Sequence, residues 1–364
     1  MEIIIGNKSA LEYWRVHRSE KIDLSKRKRY KNIPVRNPKI SDIQEVLPSE
    51  LSSPINLLVA DPKGRRKSRS IHPHVFKAPI PDWSTIEIEK GVSISSPPFC
   101  FFQMANYVHI VKLIELGMEF CGYYCLPVTT GESSPTTRND NIPISAGDNL
   151  STIDTGDNLS TIDIGRKAMD VGDNAKNNDE MLYDHPQLTN TKELKTFTSR
   201  MIGISGYKKV SRAMRYILDG SASPMETMLV MLLTLPYKLG GYGLPAPELN
   251  KRISAGTEIK KRWGKAFYVC DLFWQEVNLA VEYDSDLYHT GAKRIASDSK
   301  KRLDLAMLGI DVITVTSIQI RNNTSFNSIA KLIAKKLQKQ LQYNDAQFIK
   351  AQRNLRDLLL NTEK

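Results

Sequence analysis

Three acids in the last third of the chain are spaced for chemistry. Asp271 lies inside the apolar run Ala266 to Trp274, and Glu282 and Asp284 close a second run that starts at Val277. A tight turn at Gln275–Glu276 separates the two runs, so they read as neighbouring strands. Neighbouring strands lie about 5 Å apart. Carboxylates on both, facing one side, can therefore share a hard divalent cation such as Mg²⁺ or Mn²⁺. A cation held in this way activates water and stabilises the departing oxygen in phosphodiester cleavage. Asp284 shares strand parity with Glu282, so both point to one face. His289 follows five residues on, with proton donor, metal ligand and phosphate contact as its available roles. Asp271 and Glu282 are the candidate metal ligands. Solvent-exposed strand acids are the bland alternative, but acids within apolar runs are costly to bury without a partner.

The elements that must position these groups surround them. A basic segment follows His289, with Asp298 and Arg302 four residues apart on one helical face, where a plain ion pair is the ordinary expectation. The β-branched run Asp311 to Thr316 reads as the next strand. Upstream, Ser223 caps a helix that begins at Pro224, and Met225 to Leu235 is apolar throughout, hence buried. Glu226 lies in its first turn, where the helix dipole favours an acid. Glycines and prolines from Gly240 to Pro247 lead to a strand near Arg252 to Ala255. Ile318 to Leu341 contains a basic amphipathic helix and Gln347 to Leu360 is another, with Lys331, Lys335, Lys336 and Lys339 decorating the first.

The order Asp271, Glu282-Tyr283-Asp284, His289, Asp298 with Arg302, then Gly309 before a strand resembles one branch of the PD-(D/E)xK nucleases, the uncharacterised bacterial domain related to very-short-patch-repair endonucleases. The likeness covers roughly the last 140 residues. It implies a restriction-endonuclease-like fold, Mg²⁺-dependent DNA cleavage, a further catalytic Glu on the first core helix (here Glu226) and a role in defence against phage or mobile DNA. It departs from the family pattern at several places. Asp284 stands where typical members carry lysine, Ser285 replaces the customary glycine, and His289 and Arg302 each fall one residue late. Arg294, Lys300, Lys301 and Arg302 are the expected nucleic-acid contacts.

A formal net charge of +11 over 364 residues favours a polyanionic partner, with nucleic acid the commonest. The four cysteines, Cys100, Cys121, Cys125 and Cys270, show no zinc spacing and read as reduced, buried thiols of a cytoplasmic protein. No signal peptide or membrane span is visible. Toward the N-terminus, strands are expected at Met1 to Ile5, Leu57 to Ala60, Ile71 to Val75 and Thr85 to Ile94, and helices at Lys8 to Glu20 and Ser41 to Leu47. His72 and His74 share a face of their strand, and a structural role outweighs a metal pair there. After Ser95-Ser96-Pro97-Pro98 a helix runs to Leu116 and stops at Gly117, and Cys121 to Leu126 reads as a strand or short helix. Val92 to Ala105 is similar to a segment of abortive-infection antitoxin-like proteins, which implies a regulatory or DNA-binding role for this region. From Pro127 to Leu182 the composition turns polar, and GDNLSTID at Gly147–Asp154 recurs unchanged at Gly156–Asp163. Such a stretch cannot bury enough apolar surface to offset its ordering entropy, so it reads as a flexible insert. Thr191 to Leu218 is helical and basic, broken near Gly203 and Gly206.

The expected fold class is α/β, α+β overall. An N-terminal α+β regulatory or recognition region spans 1–126, the insert 127–190, and a nuclease domain with a central mixed sheet flanked by helices 191–364. The expected function is a metal-dependent DNA endonuclease acting on duplex DNA, as a dimer or with a partner protein of a defence or toxin–antitoxin system. The alternatives are an antitoxin-like DNA-binding regulator with a degenerate nuclease domain and an RNA-cleaving toxin.

Overall fold

The structure, a computed structural model, describes residues 2–19, 33–35, 38–39, 41, 46–65, 68–127, 183–257, 260, 266–284, 292–341 and 345–360. The chain is mixed α+β, with two mixed sheets flanked by helices. The first sheet has the order β3-β2-β1-β5-β4, from β1 (Ile3–Ile5), β2 (Ile55–Val59), β3 (Ile71–Val75), β4 (Thr85–Glu89) and β5 (Val92–Ser95). Central β1 is three buried isoleucines, paired parallel to β5 and antiparallel to β2. Helices α1 (Asn7–Val16), α2 (Pro97–Met104) and α3 (Ile110–Phe120) pack with this sheet. The Arg15 guanidinium of α1 makes a buried ion pair with Glu119 of α3, at 2.9 and 2.7 Å.

Several local expectations are corrected here. Thr85 to Ile94 is two antiparallel strands, because Lys90 and Gly91 (φ 82°) turn the chain back. Gly117 does not end α3, which runs on to Phe120. A Cβ at Gly117 would lie 2.3 Å from Ile217 Cδ1, so the glycine serves close packing. Ser96 sits at the N-cap of α2 with no side-chain capping bond. Residues 121–127 form no helix or strand. The helix expected at Ser41 to Leu47 falls largely outside the described residues, as do 128–182 of the expected insert. Residues 183–190, counted with that insert, lie against the end of α3: the His185 N–H donates to the Tyr123 carbonyl, and that of Leu188 to the Phe120 carbonyl. Helices α4 (Thr191–Ser199) and α5 (Tyr207–Ala213) follow, packed on α2 and α3.

The next helix, α6 (Pro224–Thr234), is buried from Glu226 through Leu233. A helix apolar on every side must be covered on every side. It packs against α3, the C-terminal helix α10 (Ala346–Leu360) and strands β7 (Phe267–Trp274) and β8 (Leu279–Asp284). The second sheet has the order β6-β7-β8-β9, with β6 at Glu248–Ser254 and β9 at Asp311–Thr316. Its first two pairings are antiparallel and β8–β9 is parallel. The parallel step requires a crossover, supplied by α7 (Ala292–Met307). Leu272, Trp274, Leu279 and Val281 join the main core around α6, while Tyr268, Cys270, Phe273 and Ala280 form a smaller core with Leu305 of α7. The β7–β8 connection is a 3₁₀ turn, Gln275–Val277, closed by Asn278 at φ 47°, a left-handed position that asparagine tolerates. The stretch from Ile318 to Leu341 contains the expected basic amphipathic helix, α9 (Asn323–Lys336), preceded by a short helix, α8 (Ser317–Arg321). Asn322 separates the two and caps α9 by accepting the Ser325 N–H at 2.8 Å. Among the described residues, no helix is long and apolar enough to cross a membrane.

The C-terminal helix closes on bare backbone. Gly240 (φ 88°) ends a 3₁₀ turn, and a Cβ there would lie 2.3 Å from the Ala351 carbonyl oxygen. Backbone atoms cannot rotate away as a side chain can. Gly240→Ala is therefore expected to destabilise the protein by about 2 kcal/mol or more, through overpacking and a strained φ. Urea denaturation of the two proteins checks this.

Candidate active site

The site is built where the N-terminus of α6 meets β6, β7 and β8. Ser223 Oγ accepts the Glu226 N–H at 3.1 Å, and Glu226 Oε1 in turn accepts the Ser223 hydroxyl at 3.1 Å. Glu226 Oε2 accepts the Ala222 N–H at 2.9 Å and Asn250 Nδ2 at 2.7 Å. Asn250 also donates to the Gly220 carbonyl at 2.9 Å. Its φ of 47° puts a left-handed residue into β6 between the pairs Leu249↔Leu272 and Lys251↔Cys270, opposite Asp271. Both Glu226 oxygens are thus engaged in closing the helix end, which is the structural role its position suggested.

Asp271 and Glu282 do come together. The β7–β8 ladder pairs Leu272 with Val281, and one step further puts Asp271 opposite Glu282. Asp271 Oδ2 accepts the Tyr283 N–H at 2.7 Å, so the acid stands in for a strand carbonyl where the ladder ends. Glu282 Oε2 accepts Lys301 Nζ of α7 at 2.6 Å, with both side chains largely shielded from solvent. Among the described residues, Glu282 Oε1 is buried with no hydrogen-bond partner beyond the adjacent Cys270 thiol. Asp284 lies two residues on, half-buried and paired in register with Thr316.

Packing like charges out of water has a cost that appears in their proton affinities. Burial, then the Glu282 and Glu226 carboxylates, push the Asp271 carboxyl up to about 8, against a smaller pull from the Tyr283 N–H and Lys301. Burial likewise raises Glu226, opposed by its hydrogen bonds to Ala222, Asn250 and Ser223. Cys270 is pushed up to about 12 by burial and then by Glu282, which makes it an inert thiol. All four cysteines are free and buried, as their spacing implied.

His289 lies outside the described residues. Arg294 and Asp298 lie on α7, but their side chains are outside the description. Lys300 is half-buried, while Arg302 is exposed and turned away from the orientation of Lys301 by one helical step. Lys301, expected as a nucleic-acid contact, is the partner of Glu282. Its phase on the helix is set by Asp304, three residues on, whose Oδ2 accepts the Tyr268 hydroxyl of β7. Tyr268 and Asp304 are each 2 % exposed. The sequence signal for this pair was available, an acid in the middle of an amphipathic helix and a tyrosine at strand parity with Cys270. Sequence reasoning also missed Asn250. His74 of β3 has its ring nitrogens against Asn56 Oδ1 and the Tyr107 hydroxyl, and its ring lies 4.5 Å from that of His72, so its role is structural.

Among the described residues, no three Asp, Glu, His or Cys side chains stand in a metal-holding group. Mg²⁺ does not need three: one or two carboxylates suffice, with water and substrate phosphate completing the shell. Asp271 and Glu282 fit that requirement, because one Glu282 oxygen is buried with no partner beyond the Cys270 thiol and Asp271 is crowded by acids rather than paired with a base.

The raised Asp271 carboxyl has a consequence for stability. In the unfolded chain the group loses its proton near its ordinary value of 3.8; in the folded protein it keeps the proton until about 8. Unfolding therefore releases a proton between those values, and stability falls as pH rises through that window. Asp271→Asn retains an acceptor for the Tyr283 N–H and removes the penalty. In chelator, the variant is expected to be the more stable protein above pH 8, by on the order of 2–5 kcal/mol, and to approach the parent near pH 4. Denaturation at several pH values measures the difference, and a constant gap would refute it. No family model, curated protein or solved structure matches the chain.

Proposed function

We propose that the chain is a metal-dependent phosphodiester hydrolase, a DNA endonuclease whose centre is Asp271, Glu282 and Lys301. The observation that carries this reading is the pairing of Asp271 with Glu282 across two strands, with Lys301 2.6 Å from Glu282 in a shielded site. The element order α6, β6, β7, β8, α7, β9, with β8 and β9 parallel, supports a restriction-endonuclease-like reading of the second sheet, because it is the order the PD-(D/E)xK resemblance implies. The positive net charge of +11 supports a polyanionic substrate.

Asp271 and Glu282 would hold Mg²⁺ or Mn²⁺, which when bound lowers the pKa of water and polarises a phosphate oxygen. Lys301 donates to Glu282 and presents an ammonium where negative charge would grow on the phosphate. Glu226 holds the end of α6 and, through Asn250, fixes β6 beside Asp271. Burial of the acids keeps water from screening these charges. The degenerate-nuclease alternative draws on the missing strand lysine, on Ser285 in place of glycine and on the shifted His289 and Arg302; Lys301 on α7, bonded to Glu282, supports the active reading on the first of these.

Purified protein is expected to cleave plasmid and linear DNA only with Mg²⁺ or Mn²⁺. Glu282→Gln and Lys301→Met are each expected to lower the rate at least about 100-fold without unfolding the protein. Metal-independent cleavage, or cleavage surviving in Glu282→Gln, would overturn the assignment. Cleavage confined to RNA would move the substrate and leave the site in place.

A further inference from the structure

A second surface stands apart from this centre. Between residues 191 and 219 the chain carries seven basic residues and two acids. Both acids are engaged: Glu193 accepts the Thr189 hydroxyl at 2.8 Å, and Asp219 accepts the Thr191 N–H at 2.8 Å and its hydroxyl at 2.6 Å. Of the bases, Lys209 folds back onto the Val108 carbonyl at 3.2 Å. Among the described residues, Lys192, Lys195, Arg200, Lys208, Arg212 and Arg215 make no ion pair, and all six are exposed.

Their arrangement is regular. Lys208, Arg212 and Arg215 stand at i, i+4 and i+7, so they line one side of α5 and its final turn, opposite buried Val210 and Ala213. Like charges at these spacings repel and weaken a helix, so the stripe is unfavourable to the isolated protein and is relieved by an anionic partner. His109 beneath it feels the same field: burial first, then Lys209 and Arg212, lower its proton affinity. The turn from α4 to α5 adds groups suited to a large partner. Arg200 lies 5.0 Å over the half-exposed Trp83 ring, and Ile202 at the tip is 69 % exposed.

We infer that the exposed face of α5, Lys208, Arg212 and Arg215, is a docking surface for the phosphate backbone of duplex DNA. The stripe is about 10 Å long at 1.5 Å per residue, a length over which one strand of a duplex advances by about three phosphates. The inference rests on the proposed nucleic-acid function for the choice of polyanion. The surface itself is argued from unpaired charge. It lies upstream of α6, and the chain between them passes through Gly220, whose carbonyl bonds Asn250 at the candidate centre.

The test is binding, without cleavage. Full-length protein in chelator is titrated onto a fluorescent duplex of roughly 30 base pairs at salt between about 50 and 200 mM. The variant combines Lys208→Gln, Arg212→Gln and Arg215→Gln. Its reference is an equal charge change on α9 and the turn after it, Lys331→Gln with Lys335→Gln and Lys339→Gln. The α5 variant is expected to bind at least about tenfold more weakly at the lower salt, and its slope of log affinity against log salt should be shallower by about 2.7, three contacts at 0.9 each. The α9 variant should keep the parental slope. Equal losses in both variants, no change in the α5 variant, no duplex binding by the parent, or tighter binding of duplex RNA through the same residues would each overturn the inference. All six positions are exposed, so matching melting curves are expected and establish that folding is intact. Metal-dependent cleavage with an unchanged α5 variant would sink this inference and spare the function. Stripe-dependent binding with no cleavage under any metal would do the reverse.

Discussion

The burial of α6 on every side is the constraint around which the rest of the molecule is arranged. Met228 through Leu233 leave no face of that helix able to meet water. Each of these side chains contributes about 1.5–3 kcal/mol when fully buried. No single sheet can cover a cylinder, so α3 closes one side, β7 and β8 another and α10 a third. The N-terminal sheet and the second sheet consequently share one continuous apolar core, and the boundary drawn between regions at residue 190 is not a break in packing. The same enclosure leaves only the ends of α6 able to reach polar surroundings, and Glu226 occupies its N-terminal end.

Polar chemistry in such a setting depends on what the protein leaves unpaired. Some core charges are matched, as with Arg15 and Glu119, whose guanidinium and carboxylate meet in two short bonds, and others, such as Arg18, are held by backbone carbonyls. At the junction of β7 and β8, Asp271, Glu282 and Glu226 influence one another, and among the described residues Lys301 is the one base bonded to them. A purely structural cluster would be expected to satisfy each carboxylate, since a buried unpaired acid is costly. The crowding of acids at this sheet end is expressed instead in the proton that Asp271 retains up to about 8.

Much of this was legible in the sequence. The period-two pattern on either side of Gln275 put Asp271 and Glu282 on adjacent strands, and the Ser-Pro-x-Glu start of α6 fixed its cap. The run from Asp311 to Thr316 was read to the residue. What escaped detection was set by tertiary contacts. Three consecutive bases, Lys300 to Arg302, cannot be told apart by composition; which one turns inward depends on a buried Tyr268–Asp304 bond formed across the sheet. Gly117 resembled a helix stop, because a glycine chosen for close packing and one chosen for a left-handed turn look alike in one dimension. The turn at Lys90 and Gly91 was readable from the glycine alone, but the alternating residues on either side hid it. Asn250 gave no local sign that it would adopt a left-handed conformation inside a strand.

The Tyr268–Asp304 bond also bears on how such a protein can diverge. It registers α7 against β7 from within the layer between them and, with the packing of Leu305, carries Lys301 to Glu282. This bond and packing do not depend on how many residues separate Asp284 from Ala292. Residues could be gained or lost there over evolutionary time without displacing the lysine. A search that fixes the count between the strand acids and the following helix would discard relatives with the same centre, whereas one that asks for a lysine three residues before a buried helical acid, and a tyrosine facing that acid from the preceding hairpin, would retain them.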